Sequence, residues 1–197
     1  ATVPTGVHHP AYTLAGVVSG VGDYGNRMGI PTAAGALLVD PGFLGNPLVF
    51  CGTVGLIPRD RVAKGARPGH RAVLVGAGTG ADGLHGATFS SRALSAEAAE
   101  HDRAAVQIGH AIHERTLLEG VLVCAEAGWI ADSTDLGAGG LAVAACEMAA
   151  SAGGLDLDLA RVPLKEPGLT PTQVWISESQ ERLLLAVRPE HLPMVLA

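Results

Sequence analysis

The chain has 197 residues, enough for one medium-sized domain or two small ones. Hydrophobic residues make up 48% and charged residues 16%, which excludes a disordered or fibrous chain, since there is ample apolar surface to bury and little charge to keep it solvated. The formal charge of −6, with no basic cluster denser than Arg59, Arg61, Lys64 and Arg67, argues against nucleic acid or an anionic membrane as partner. Cys51, Cys124 and Cys146 are odd in number and have apolar neighbours, which predicts reduced core thiols and a cytoplasmic setting. No stretch is long and apolar enough to span a bilayer, and the start ATVPTGVHHP has no signal-peptide pattern.

In chain order, residues 1–10 read as an irregular arm, and Tyr12 to Met28 as a helix weakened by four glycines that survives only if closely packed. Ala33 to Val39 and Leu48 to Ile57 read as neighbouring strands separated by the turns at Asp40-Pro41-Gly42 and Gly45-Asn46-Pro47. The charged, Pro- and Gly-bounded stretch from Pro58 to Gly69 is the linker candidate. Ala72 to Val75 is a short strand, Ile108 to Ala127 and Gly139 to Ala152 are helices stopped by glycines, and Leu155 to Leu159 alternates with aspartates as a half-exposed strand does. Val174 to Ile176 and Leu183 to Val187 are further strands. The mixture without a strict strand-helix-strand rhythm predicts α+β, or mixed α/β, in two unequal parts.

Two stretches, Gly20 to Gly25 and Gly78 to Gly83, match G-x-G-x-x-G. The first follows no strand. The second, Gly78, Thr79, Gly80, Asp82 and Gly83 with His85 just beyond, follows one but leads into a poor helix start, so a turn whose amides bind phosphate, or a plain tight loop, fits better than a dinucleotide fingerprint. Asp132 and Asp135 precede a helix; they serve either as caps or as carboxylates holding Mg²⁺ beside a phosphate. The block Ser177-Glu178-Ser179-Gln180-Glu181-Arg182 is either an exposed hairpin end or a grip for a substrate rich in hydroxyls and amides. His110 and His113 are one helical turn apart, with no third ligand at zinc spacing.

Several blocks together resemble one family. Gly22-Asp23-Tyr24-Gly25-Asn26, Gly29-Ile30-Pro31-Thr32, Gly45-Asn46-Pro47-Leu48-Val49, Thr79-Gly80, Asp82 to Ala87, Ala105 to Gly109, Asp135 to Leu141 and Ser177 to Arg182 look like phosphoribosylformylglycinamidine synthase, the formylglycinamide ribonucleotide amidotransferase, in its synthetase part. The blocks follow the family's order from Gly22 to Val187, and the last of them separates it from aminoimidazole ribonucleotide synthetase, selenophosphate synthetase and thiamine-phosphate kinase.

The resemblance implies an aminoimidazole ribonucleotide synthetase-like fold, with residues 1–62 from an N-terminal dimerising domain and residues 63–197 forming a C-terminal α/β domain that lacks its last strand. It implies a carbon-nitrogen ligase of purine biosynthesis that uses ATP and Mg²⁺ to convert formylglycinamide ribonucleotide and glutamine-derived ammonia to formylglycinamidine ribonucleotide. By position, Gln107, Glu178, Ser179 and Gln180 look like substrate-binding residues and Asp135 like a Mg²⁺ ligand. The implied partners are the rest of the synthetase, a glutaminase domain or subunit, and a second copy. The expectation is an internal piece of a longer enzyme, inactive alone. The alternatives are a non-catalytic assembly module of the same fold and another ATP-dependent member of the superfamily. The chain departs from the family pattern at Gly35-Ala36, where Gly-Gly-Glu is usual after the Pro-Thr pair, at Ala81 in place of arginine, and at His110 in place of the polar residue after Gln-x-Gly.

Overall fold

The computed structural model describes residues 2–63, 65–91 and 103–197, so Lys64 of the basic cluster lies outside the described residues. The chain divides into two compact units, Ala1–Ile57 and Pro58–Ala197.

In the first unit, helix α1 spans Pro10–Met28. Pro10 supplies a preset φ at the first helical position, the His9 side chain accepts from the Ala11 amide at 3.2 Å, and Gly29 closes the end at φ +70°. Of its residues only Met28 is buried, so the close packing expected from its glycines is not found among the described residues. The two expected strands are corrected: residues 31–40 and 48–57 form no ladder. Leu38, Phe50, Val54 and Leu56 are 87% or more exposed. Apolar composition specifies a surface that needs covering, whereas a strand also needs a hydrogen-bonding neighbour, and among the described residues neither segment has one.

The second unit is built on three antiparallel strands, β1 (Arg71–Gly76), β2 (Ile130–Asp135) and β3 (Arg182–Val187), in the order β1-β3-β2. Central β3 is the most deeply buried, with Leu184, Leu185, Ala186 and Val187 at 2% exposure or less. Its alternate residues feed two cores. Leu184 and Ala186 pack with Leu136, Leu141, Ala144 and Met148 of the β2 to α4 region, where α4 is Gly140–Ala152. Leu185 and Val187 pack with Val73 and, on the other face, Val121 of α3, which spans Ala111–Glu126. The sheet is thus covered on both faces, and the alanine-rich inner side of α4 permits close approach.

Short helices complete this unit: α2 (Gly86–Ser90), α5 (Pro171–Ile176) and α6 (Leu192–Val195). The expected strand at Val174 to Ile176 is corrected to α5. A capping box decides it: the Gln173 amide donates to Thr170 Oγ1 at 3.2 Å while Gln173 Oε1 accepts from the Thr170 amide at 2.9 Å, with Pro171 at the first turn. The expected strand at Leu155 to Leu159 is likewise absent. Its leucines do point alternately into the core, but Asp158 accepts from the Ala160 amide and starts a 3-10 turn at Leu159–Arg161. Strand β2, which the sequence marks only as the approach to a helix, follows α3 directly. The thiols expected in the core are corrected too: Cys51 and Cys146 are exposed and Cys124 half-buried.

Candidate functional site

Strand ends converge at one edge of the sheet. Gly76, closing β1, lies opposite Arg182, opening β3, and Asp135, closing β2, lies opposite Leu183. Residues 177–181 cross this edge on their way into β3, between the loops that leave β1 and β2.

The polar block is buried rather than an exposed hairpin end. Ser177 and Ser179 are 0% exposed, Glu178 2% and Arg182 3%. Burial of so many polar groups requires that their hydrogen bonds be made within the fold. Glu178 Oε1 accepts from the amides of Ala87 at 3.1 Å and Gly139 at 2.9 Å, while Oε2 accepts from Gln107 Nε2 at 2.6 Å. Gly83 and Gly86 are what let the chain close on this carboxylate: a Cβ at Gly83 would stand 2.7 Å from that of Glu178, and one at Gly86 2.5 Å from Oε2. Glu178 therefore ties the first turn of α2, the stretch before α3 and the turn before α4 to the segment entering β3.

Ser179 Oγ donates to Asp82 Oδ1 at 2.6 Å and accepts from the Gly80 amide at 3.0 Å; Ser177 Oγ donates to the Gly80 carbonyl at 2.7 Å. Arg182 donates to the carbonyls of Ser177 and Ser179 and to Thr79 Oγ1, each at 2.7 Å. Both carbonyls that bracket Glu178 are thus held by one guanidinium. Burial pulls Arg182 down to about 10, against the opposing pull of Asp82, and it stays charged at neutral pH. Burial also opposes charge on Asp82, but the hydrogen bonds from Lys165 and Ser179 and the Lys165 charge outweigh it and hold its pKa below the ordinary carboxylate value. Lys165 Nζ stands 2.6 Å from Asp82 Oδ1.

The glycine-rich loop is largely committed to this scaffold. The amides of Ala77, Thr79 and Gly83 donate to the carbonyls of Glu181, Pro163 and Val106, that of Gly80 to Ser179 and that of Ala81 to Glu166. Those five donors are occupied within the chain, so Gly78, Thr79, Gly80, Asp82 and Gly83 here shape the bed for residues 177–182. His85 is exposed at φ +60° at the start of α2.

Of the four residues expected to bind substrate, the structure brings Gln107, Glu178 and Gln180 together and spends the side chains of Glu178 and Ser179 internally. Gln180 Nε2 donates to the Glu178 carbonyl at 2.6 Å. Gln107 is exposed and Gln180 half-buried, so these two side chains form the accessible surface. Asp135 is exposed at the end of β2. The pKa of Glu114, in the first turn of α3, is raised by burial and then by the charges of Glu181 and Asp135. Among the described residues no three His, Cys, Asp or Glu side chains stand close enough to form a metal site by themselves. Glu114, Lys165 and Glu166 were not foreseen; the only sequence signal for the last two is a charged pair framed by Pro163 and Pro167.

A central antiparallel sheet covered by helices, with a buried polar segment crossing its strand ends, defines an α+β domain of the aminoimidazole ribonucleotide synthetase-like class. Residues 67–197 match the family model for AIR synthase related protein, C-terminal domain, and the chain belongs to that family. Among its relatives is phosphoribosylformylglycinamidine synthase subunit PurL of Methanopyrus kandleri, 47% identical over 94% of this chain and 26% of that protein. The subunit of the same name from Salinibacter ruber is 46% identical over 90% of this chain and 24% of the relative. The structure of Thermotoga maritima PurL complexed with FGAR superimposes with a TM-score of 0.80 at 34% identity, covering 92% of this chain and 30% of that one. The same protein complexed with ATP gives 0.74 at 33%, covering 92% and 28%. The chain thus spans about a quarter of the length of the curated relatives it matches.

Proposed function

We propose that this chain carries part of the formylglycinamide ribonucleotide site of a phosphoribosylformylglycinamidine synthase. In that reaction ATP phosphorylates the substrate's amide oxygen, ammonia derived from glutamine displaces the phosphate, and formylglycinamidine ribonucleotide, ADP and phosphate leave. The observation that carries the reading is the buried junction at Glu178, to which Gln107 and Gln180 both donate from positions far apart in sequence. Amide side chains held in this way suit a ligand of hydroxyls and amides. The similarity to a PurL complexed with FGAR supports it.

The residues present suit Mg²⁺ as one part of a shared site. Magnesium is commonly held by one or two protein carboxylates, with water and substrate phosphate filling the remaining positions. Asp135 would hold it; the pKa of Glu114 is raised by burial first and then by the charges of Glu181 and Asp135, and a cation at Asp135 would offset the smaller, like-charge part. When bound, the ion supplies charge stabilisation to a transferring phosphoryl group. The chain's own contribution is positional: Arg182 and Ser179 fix the segment, and Glu178 fixes Gln107. ATP is the co-substrate of this reading. The partners are the rest of the synthetase, the glutaminase that supplies ammonia, and a second copy, to which residues 31–40 and 48–57 offer exposed apolar side chains. The 197-residue stretch alone binds without turnover, and measurable ligation by it with ammonia and ATP would contradict that statement.

The test is a calorimetric titration with formylglycinamide ribonucleotide in the presence of Mg²⁺, repeated on Gln180→Ala. Binding that is lost in the variant supports the site. Equal binding by both, or none by the complete enzyme, removes it.

A further inference from the structure

We infer that Glu178 is a positioning residue that sets the polarity of two glutamine amides, exposed Gln107 and half-buried Gln180, so that the site offers hydrogen-bond acceptors and selects substrate groups that donate. This rests on the proposed substrate site and adds to it the kind of group the substrate must present.

The argument follows from which atoms are already used. A terminal amide carries one acceptor and one donor end, and either end can face outward unless a neighbour fixes it. At Gln107 the neighbour is the Glu178 carboxylate, which can only accept, so the NH₂ end turns inward at 2.6 Å. At Gln180 the neighbour is the Glu178 carbonyl, also an acceptor, and again the NH₂ end turns inward at 2.6 Å. One residue therefore orients both amides, one through its side chain and the other through its backbone. Glu178 cannot turn to relax this, because its other carboxylate oxygen is held by two backbone amides and its flanking carbonyls by Arg182. Among the described residues no hydrogen bond engages the Oε1 atoms of Gln107 and Gln180, which leaves the acceptor end of each amide for a ligand. A ligand that meets them with N–H or O–H groups, from an amide or a ribose, is matched, while one that presents carbonyl oxygens there meets like dipoles.

The test is an exchange of the two side chains in the complete enzyme. Gln107→Glu places one carboxylate against another; KM rises about ten- to a hundredfold at pH 8 and recovers as the pH falls and a shared proton restores the bridge. Glu178→Gln frees the Gln107 amide to turn, with a similar rise that does not depend on pH. In the double variant Glu178→Gln with Gln107→Glu, the new amide at 178 accepts from Ala87 and Gly139 through its oxygen and donates to the carboxylate at 107, whose second oxygen again faces outward. KM then returns to within about threefold of the parent, a coupling that a merely structural role would not produce. Gln180→Glu, on an accessible side chain, gives the same pH-dependent loss and stands in if substitution at buried Glu178 prevents folding. Substrate analogues lacking a ribose hydroxyl, or methylated on the amide nitrogen, identify the donor: the analogue that lacks it binds the parent weakly and loses no further affinity in the single variants. Additive losses in the double variant together with pH-independent Gln180→Glu overturn the inference while leaving the proposed function standing. Failure of the parent enzyme to bind formylglycinamide ribonucleotide overturns both.

Discussion

Burial opposes charge on both Asp82 and Arg182, and each remains ionised because its partners are arranged around the charged form. For Asp82 the sign is fixed by its lowered pKa. Its stabilising contribution is complete above the ordinary carboxylate range and is lost as the pH falls through the depressed folded value, since the unfolded chain takes up the proton first. Lys165→Met leaves burial opposed chiefly by Ser179, so the Asp82 carboxyl should titrate higher and acid destabilisation should begin at a higher pH; carbon-detected NMR of the carboxyl reads this directly, and an unmoved midpoint contradicts it. Glu114 behaves oppositely: its pKa is raised, so its ionisation costs stability as the pH rises toward the folded value. Asp135→Asn removes one of the two neighbouring charges and should lower the Glu114 midpoint without restoring the ordinary value, because burial, the largest cause, persists. Gln107, Glu178, Gln180 and Asp135 could be picked out in the sequence because they stand in motifs. Lys165 could not, since its role depends on meeting Asp82 across 83 positions of chain.

Elements were legible where a local signal agreed with burial, as for α3, α4, β1 and β3. They were misread where two local signals competed: Val174-Trp175-Ile176 has strand-like composition, but Thr170, Pro171 and Gln173 start a helix first. Thr170→Ala should therefore cost about 1 kcal/mol in a denaturant titration, the usual loss of an N-cap. A tighter constraint sits at the start of α4. Gly140 has φ +57°, and a Cβ there would run into the carbonyl oxygen of Ser177. Gly140→Ala combines left-handed strain with a backbone clash and should cost roughly 2–4 kcal/mol, and it should also weaken substrate binding by displacing the carbonyl that Arg182 holds. A stability loss without any change in binding would separate the helix start from the site.

At the scale of the whole molecule the two units differ in how they meet solvent. The second encloses two cores around β3, and Leu184→Ala should destabilise it by about 2–5 kcal/mol. The first exposes Leu38, Phe50, Val54 and Leu56, side chains that would bury favourably against any matching edge. Sedimentation of the chain should show concentration-dependent association that Phe50→Asp with Val54→Lys reduces; a monomer at all concentrations rules out the second copy as the partner of these segments. Composition made the apolar edges of this unit legible in the sequence, and it could not supply their partners. The junction at Glu178 has one more consequence. Its carboxylate joins positions 91, 71 and 39 residues away, so closing it requires large loops to form first and belongs late in folding. The amide protons of Ala87 and Gly139 should then exchange with solvent faster than those of β3, because a partial opening that moves any one of these distant segments out of register with the side chain frees them while the sheet stays paired.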